Sequence, residues 1–176
     1  MKFGDVRFYE GREMANKEHL KVLKKGVKAW NEWRCGDMNL KPDFSGHDFE
    51  GMDLTYVNWM VADLSGCDLS GCCLKQAYMT HANLSNANLR GASIHRADMR
   101  NANLVNADFT GADIFEGIFA RAVLHQTKFT GANLRESIWI GAFMNEVDFT
   151  DCDLTGADFT SAKRSGLITD GAIGCQ

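Results

Sequence analysis

The chain has 176 residues, 45% hydrophobic and 24% charged, with 19 Lys and Arg against 23 Asp and Glu for a formal net charge of −4. That balance fits one folded domain and excludes a wholly disordered chain. Six cysteines are too sparse for a disulfide-stapled miniprotein, and no apolar run approaches the length of a membrane-spanning helix.

The opening MKFGDVRFYE carries Asp5, Arg7 and Glu10 and no apolar stretch, so no secretory leader is expected. Residues 14–35 predict one amphipathic helix, at about 16–34. Leu20, Leu23, Val27 and Trp30 follow i, i+3, i+7, i+10 spacing, and Asn16 is placed to cap the N-terminus. Residues 17–28 also hold five lysines, which fits a second reading: a basic helix for a membrane surface or a partner.

From residue 44 a five-residue period takes over. Stepping by five from Phe44 to Phe159 meets 24 positions, all large and apolar. At this hydrophobic content chance would give such a run about once in 10⁸ trials. The residue two places earlier is small in 21 of the 24 units, 13 times Ala and three times Cys. The residue between them is Asp or Asn in 16 units, and Gly stands two places after the large residue in nine. A helix would carry a five-residue step off any single face. Two inward residues spaced by two instead make a short extended stretch, and the next comes three later, so the chain turns a corner between them. Gly or Asn at the second corner position fits a type II turn, which needs φ > 0 there.

Glycine recurs at 51, 71, 91, 111 and 131, a lag of twenty. Four units per coil make a square coil, and 24 units make about six coils, ~29 Å long at ~4.8 Å per coil.

Units such as Ala-Asp-Leu-Ser-Gly (62–66), Ala-Asn-Leu-Arg-Gly (87–91) and Ala-Asp-Phe-Thr-Gly (107–111) resemble the pentapeptide repeat family over residues 42–161. The resemblance implies an all-β solenoid, a right-handed quadrilateral β-helix filled by stacked Leu, Phe and Ala with no lumen for a substrate. Three regions follow: 1–41 with its helix, 42–161 as the β-helix, and 162–176 as a tail. A solenoid leaves open sheet edges at its ends, so the helix is expected to cap the first coil, with Trp30 and Trp33 against the apolar interior. After Phe159 the phase fails, because Arg164 takes the next large site. The tail, with Leu167, Ile168 and Ile173, then caps the last coil or forms a dimer contact.

Chemistry-bearing residues are read as structural. Cys67, Cys72 and Cys152 sit at the inward small site as buried hydrophobes. Cys72 and Cys73 point to opposite sides of one strand, so they are no chelate. His47, His81, His95 and His125 fall in different columns, so no stacked metal ligands are expected. No nucleophile elbow, phosphate loop or zinc-protease motif is present in the sequence, and Asp at the central position serves local hydrogen bonds. The expectation is no enzyme, no cofactor, no metal and a reducing, cytoplasmic setting.

Two surface features bear on function. Residues 42–161 carry 16 acidic and 7 basic residues, net −9, against net +4 over residues 1–41. An acidic rod resembles those family members that mimic duplex DNA and protect type II topoisomerases from quinolones. Here, however, the charge is about one per 3 Å against one per ~1.7 Å in duplex DNA. The dispersed arginines disfavour direct nucleic-acid binding. The second feature is sharper. The outward central position turns apolar at Ile118, Val123, Ile138 and Phe143, with Ile140 beside them and Phe115 flanking. Such a patch marks a contact surface, for a homodimer, for the tail folded across it, or for another protein. The leading expectation is a non-catalytic protein-interaction scaffold with an unknown protein partner or a second copy, and no membrane role. The runner-up is a topoisomerase-directed DNA mimic.

Overall fold

The computed structural model describes residues 15–37 and 40–174. Outward residues twenty apart form parallel bridges, starting at Asp43↔Asp63, Asp48↔Asp68, Asp53↔Cys73 and Asn58↔Tyr78 and repeating up to Asp153↔Ile173. Four five-residue units therefore complete each turn, and the ladders define four faces. Face A runs from Asp43 to Lys163, face B from Asp48 to Ile168, face C from Asp53 to Ile173, and face D from Asn58 to Asp158. Each ladder residue turns both its backbone groups to the turn below. Asn83 donates its N–H to the Ala62 carbonyl (2.9 Å), and its own carbonyl accepts from Leu64 (2.7 Å).

The corners are tight turns. The Ala92 N–H donates to the Leu89 carbonyl (3.2 Å) around Gly91 at φ 63°, which is the positive φ that a type II turn requires. The same corner is imposed on residues that disfavour it. Val61 sits at φ 55°, where a β-branched side chain crowds its own backbone at a cost of roughly 1–2 kcal/mol. Val61→Asn, a residue that visits this conformation readily, is expected to gain about 1 kcal/mol and raise Tm by roughly 2–4 °C in a thermal melt. An unchanged or lower Tm would mean that the strain is not there.

Extended segments lengthen only on face A, giving β1 (Val123–His125), β2 (Phe143–Asn145) and β3 (Lys163–Ser165), paired in parallel in that order. This widening accompanies Thr127 and Val147 at the adjoining small sites, where Ala87 and Ala107 stand lower down.

The interior is solid. The large residues of every unit from Phe44 to Leu154 are buried, and Ala or Cys packs beside most of them. Two aromatic stacks face each other across the upper coils. Phe119 lies on Trp139 (4.1 Å, 3°), and Phe129 lies between Phe109 (4.9 Å) and Phe149 (5.4 Å). Trp59 and Trp139 fill equivalent sites four turns apart, but only one satisfies its indole. Trp139 donates to Ser137 Oγ (2.7 Å), whereas the residue equivalent to Ser137 beside Trp59 is Val57, and the Trp59 N–H is buried without an acceptor.

The single helix expected over 16–34 is two helices, α1 (Lys17–Leu23) and α2 (Val27–Cys35). Gly26 at φ 106° breaks them, a backbone conformation that a continuing helix cannot hold. Asn16 does cap α1, accepting from the N–H groups of Glu18 (2.9 Å) and His19 (3.4 Å). Trp30 is fully buried against Phe44 (5.2 Å), but Trp33, expected inside as well, is 38% exposed.

Side chains from this helical pair bond to backbone groups of the first turn on faces A and D. His19 Nδ1 accepts from the Asp43 N–H (3.0 Å), and Trp30 Nε1 donates to the Asn58 carbonyl (2.7 Å). The Asn31 amide accepts from the Asn58 N–H (2.9 Å) and donates to the Tyr56 carbonyl (2.9 Å). Arg34, fully buried, donates to the carbonyls of Leu40 (2.9 Å), Asp37 (3.1 Å) and Met60 (3.3 Å).

The ladder does not stop at residue 161. Lys163, Ile168 and Ile173 pair above Phe143, Asp148 and Asp153. Residues 162–173 thus continue the coil, and Leu167 and Ile168 do not fold back across the apolar patch. Arg164 takes its large site without burying, its guanidinium 5.6 Å over the Phe159 ring.

Candidate functional site

At most outward positions a short polar side chain ties down the next corner. Asp43, Asp63 and Asp148 each accept the backbone N–H two residues on, at 3.0, 3.0 and 2.9 Å. Amides stack along the faces too, as where Asn83 donates to Asp63 (3.1 Å) and Asn103 to Asn83 (3.1 Å). Thr55 holds the Asp53 carboxyl below the usual carboxylate range through its hydroxyl and backbone hydrogen bonds. These carboxylates are therefore acceptors for backbone and hydroxyl donors, a structural use of charge.

The pattern breaks where faces D and A share a corner. On face D, Ile118 bridges Ile138; on face A, Val123 pairs with Phe143. Ile140 stands on the edge between them. Val123, Ile140 and Phe143 are 43%, 43% and 46% exposed, and Ile118 and Ile138 are half-buried. The structure thus gathers five of the six expected contact residues. Phe115 lies at the far corner of face D, half-buried, with its ring 6.3 Å from His95.

Polar groups close the patch above and below. Asp98 beneath it is paired with Arg100 (2.6 Å), next to Asn103. Asp158 stands above Ile138, and Lys163 stands above Phe143 with its amine 5.1 Å from the ring centre. Lys163 completes the upper rim of the site, two residues beyond the end expected for the repeat at residue 161. Its signal was present in the sequence, since 163 is 143 plus the lag of twenty.

Other candidates offer no convergent chemistry. Among the described residues, no three His, Cys, Asp or Glu side chains gather as a metal site. A shallow groove between α2 and the first turn is lined by Val27, Asn31, Cys35, Thr55 and Tyr56, and a second by Gln126, Lys128, Glu146 and Asp148. Arg96 and Glu116 form the surface pair expected from their spacing, at 2.6 Å, an exposed contact that solvent screens and that adds little to stability.

The inward cysteines do more than fill space. Cys67, Cys72 and Cys152 each donate Sγ–H to the carbonyl of the large residue one turn below: Phe44 (3.0 Å), Phe49 (2.9 Å) and Phe129 (2.9 Å). Thr127 makes the same bond to Leu104 (2.8 Å). Burial pushes the Cys67 and Cys72 thiols from 9.0 up to about 12. The stability these neutral thiols contribute is complete below pH 9 and is lost as pH rises toward 12, where the unfolded chain releases the proton first. Iodoacetamide at pH 8 is therefore expected to label exposed Cys35 in the native protein and to reach Cys67 and Cys72 only after denaturation. Native labelling of Cys67 or Cys72, read by mass spectrometry, would contradict this.

Among protein families, the model for pentapeptide repeats matches in 8 copies, over residues 42–76, 62–101, 82–131 and 127–163. No curated protein matches the chain. Similar solved structures include HetL, a pentapeptide repeat protein involved in heterocyst differentiation regulation in the cyanobacterium Nostoc sp. strain PCC 7120. It is 25% identical, with a TM-score of 0.45 over 76% of this chain and 62% of HetL. QnrB1, a plasmid-mediated fluoroquinolone resistance protein, is 18% identical with a TM-score of 0.41, over 74% of this chain and 81% of its own. Rfr23 from the cyanobacterium Cyanothece 51142 is 22% identical with a TM-score of 0.38, over 81% and 96%.

Proposed function

The chain belongs to the pentapeptide repeat family, and we propose that it is a non-catalytic protein-binding scaffold whose contact surface is the corner of Ile118, Val123, Ile138, Ile140 and Phe143. The family's repeat implies a right-handed quadrilateral β-helix. What carries the reading is the exposure of Val123, Ile140 and Phe143, close to half each, at sites that most units fill with polar residues. Contiguous apolar surface on an otherwise polar shaft is stabilised by being covered. The solid interior supports the non-catalytic half of the proposal, because a substrate would need a cleft with convergent polar groups.

The helical pair fits the role of a cap on a shaft of about six coils, since His19, Trp30, Asn31 and Arg34 supply donors and acceptors that a preceding coil would otherwise provide. A reducing, cytoplasmic setting is part of the proposal, supported by the Sγ–H bonds of Cys67, Cys72 and Cys152, which need reduced thiols. A topoisomerase-directed DNA mimic is the second reading, favoured by the net −9 of residues 42–161. A gyrase supercoiling assay with and without quinolone tests it, and no effect at micromolar protein would end it.

Ile138→Asp/Phe143→Asp tests the leading reading. Tagged wild-type protein is expected to capture protein from a native extract, either another copy of itself or a different chain. The double variant, with an unchanged circular-dichroism spectrum, is expected to lose that capture. Equal capture by both would remove the corner from consideration.

A further inference from the structure

Four units per turn give the shaft four sides, so faces D and A meet at about 90° along the edge that carries Ile140. Two shafts lying side by side would each bury one face and leave the other apolar face in water. Both are covered at once when four shafts stand around a common axis at their Ile140 edges, since four corners of about 90° close the circle. Resting on the reading of this corner as a contact surface, we propose that the chain assembles as a parallel fourfold ring, with face D of each copy packed on face A of the next.

The outward residues fit that arrangement level by level. Rotation about an axis parallel to the shaft preserves height, so residues five apart on faces D and A meet between neighbouring copies. Ile118 meets Val123 of the next copy, and Ile138 meets Phe143. One level up, Asp158 meets Lys163, opposite charges at the upper rim of the apolar zone. One level down, Asp98, neutralised by its own Arg100, meets Asn103. Height and chemistry thus agree at four successive levels.

An antiparallel assembly of the same faces fits less well. Reversing alternate shafts packs face D on face D and face A on face A; the heights of Ile118 and Ile138 exchange harmlessly, but Asp158 loses Lys163 and meets the Asp98–Arg100 pair instead. The apolar pairs cannot distinguish the two arrangements; the rim charges can.

Native mass spectrometry and light scattering of the purified protein test the ring. The expected mass is that of four 19.5 kDa chains. Asp158→Lys and Lys163→Asp are each expected to shift the protein toward monomer, and the double exchange to restore the tetramer. A monomeric or dimeric wild-type protein would overturn the ring. So would a tetramer that Asp158→Lys does not weaken, the response of a form in which Asp158 does not face Lys163. Ile138→Asp/Phe143→Asp separates this proposal from the one beneath it. A monomeric wild type whose capture of another protein is lost in that variant would sink the ring alone. A variant that keeps both mass and capture would sink both.

Discussion

Phe129→Ala is expected to cost about 3–5 kcal/mol and to lower Tm by roughly 6–20 °C. Phe129 is fully buried, stacked between Phe109 and Phe149 and met edge-on by Phe119 (5.9 Å) and Trp139 (5.5 Å). Removing the ring takes away its transfer energy and four aromatic contacts. The hole it leaves is held open by the backbone, because Phe129 donates to the Asp148 carbonyl (2.8 Å) and Lys128 to the Ala107 carbonyl (3.0 Å), which fixes the coil spacing. A site that cannot collapse lies at the costly end of the large-to-small range. Phe129→Leu keeps most of the volume and is expected to cost under about 1.5 kcal/mol. Chemical denaturation of the two variants beside wild type measures both, and a loss under 1 kcal/mol for Phe129→Ala would contradict a solid aromatic interior.

What could be read in the sequence was whatever repeats. The alternation of small and large residues every five places, the lag of twenty and the Arg96–Glu116 pair all follow from one periodic rule, and each repeat reinforces the signal. What could not be read was specified once. Gly26 sits inside an apolar pattern that continues on both sides of it, and the pattern gave no weight to a conformation that breaks the helix. His19, Asn31 and Arg34 look like the solvated side of a basic helix, because their acceptors and donors are backbone groups of Asp37, Leu40, Asp43, Tyr56, Asn58 and Met60 and carry no side-chain signature. Arg164 at a large inward site looked like the end of the repeat, yet the ladder needs only backbone, and a side chain that leans over Phe159 instead of filling the core does not interrupt it. The contact corner was legible except for its rim, for the same reason: Lys163 lay beyond the point where the inward pattern lapsed.

Trp30→Ala is expected to be as damaging as any core substitution, and Trp33→Ala, three residues away, close to neutral. The two indoles lie 5.1 Å apart, so their contrast isolates the proposed cap. Trp30 is fully buried, packs on Phe44, and donates to the Asn58 carbonyl, a group that points away from the coil above. Truncating it opens a cavity over the first turn, costing about 3–5 kcal/mol, and exposes a sheet edge able to pair with another chain. Trp30→Phe keeps most of the packing and loses the donor, so it is expected to cost about 1–3 kcal/mol for the unpaired carbonyl. Trp33, 38% exposed, bonds to no edge group and is expected to change stability by under ~1 kcal/mol. Denaturation curves with light scattering read both the loss and the aggregation. Deleting residues 1–41 carries the argument to its limit: the shortened chain should aggregate, and a soluble, monomeric truncation would show that the first coil needs no cover.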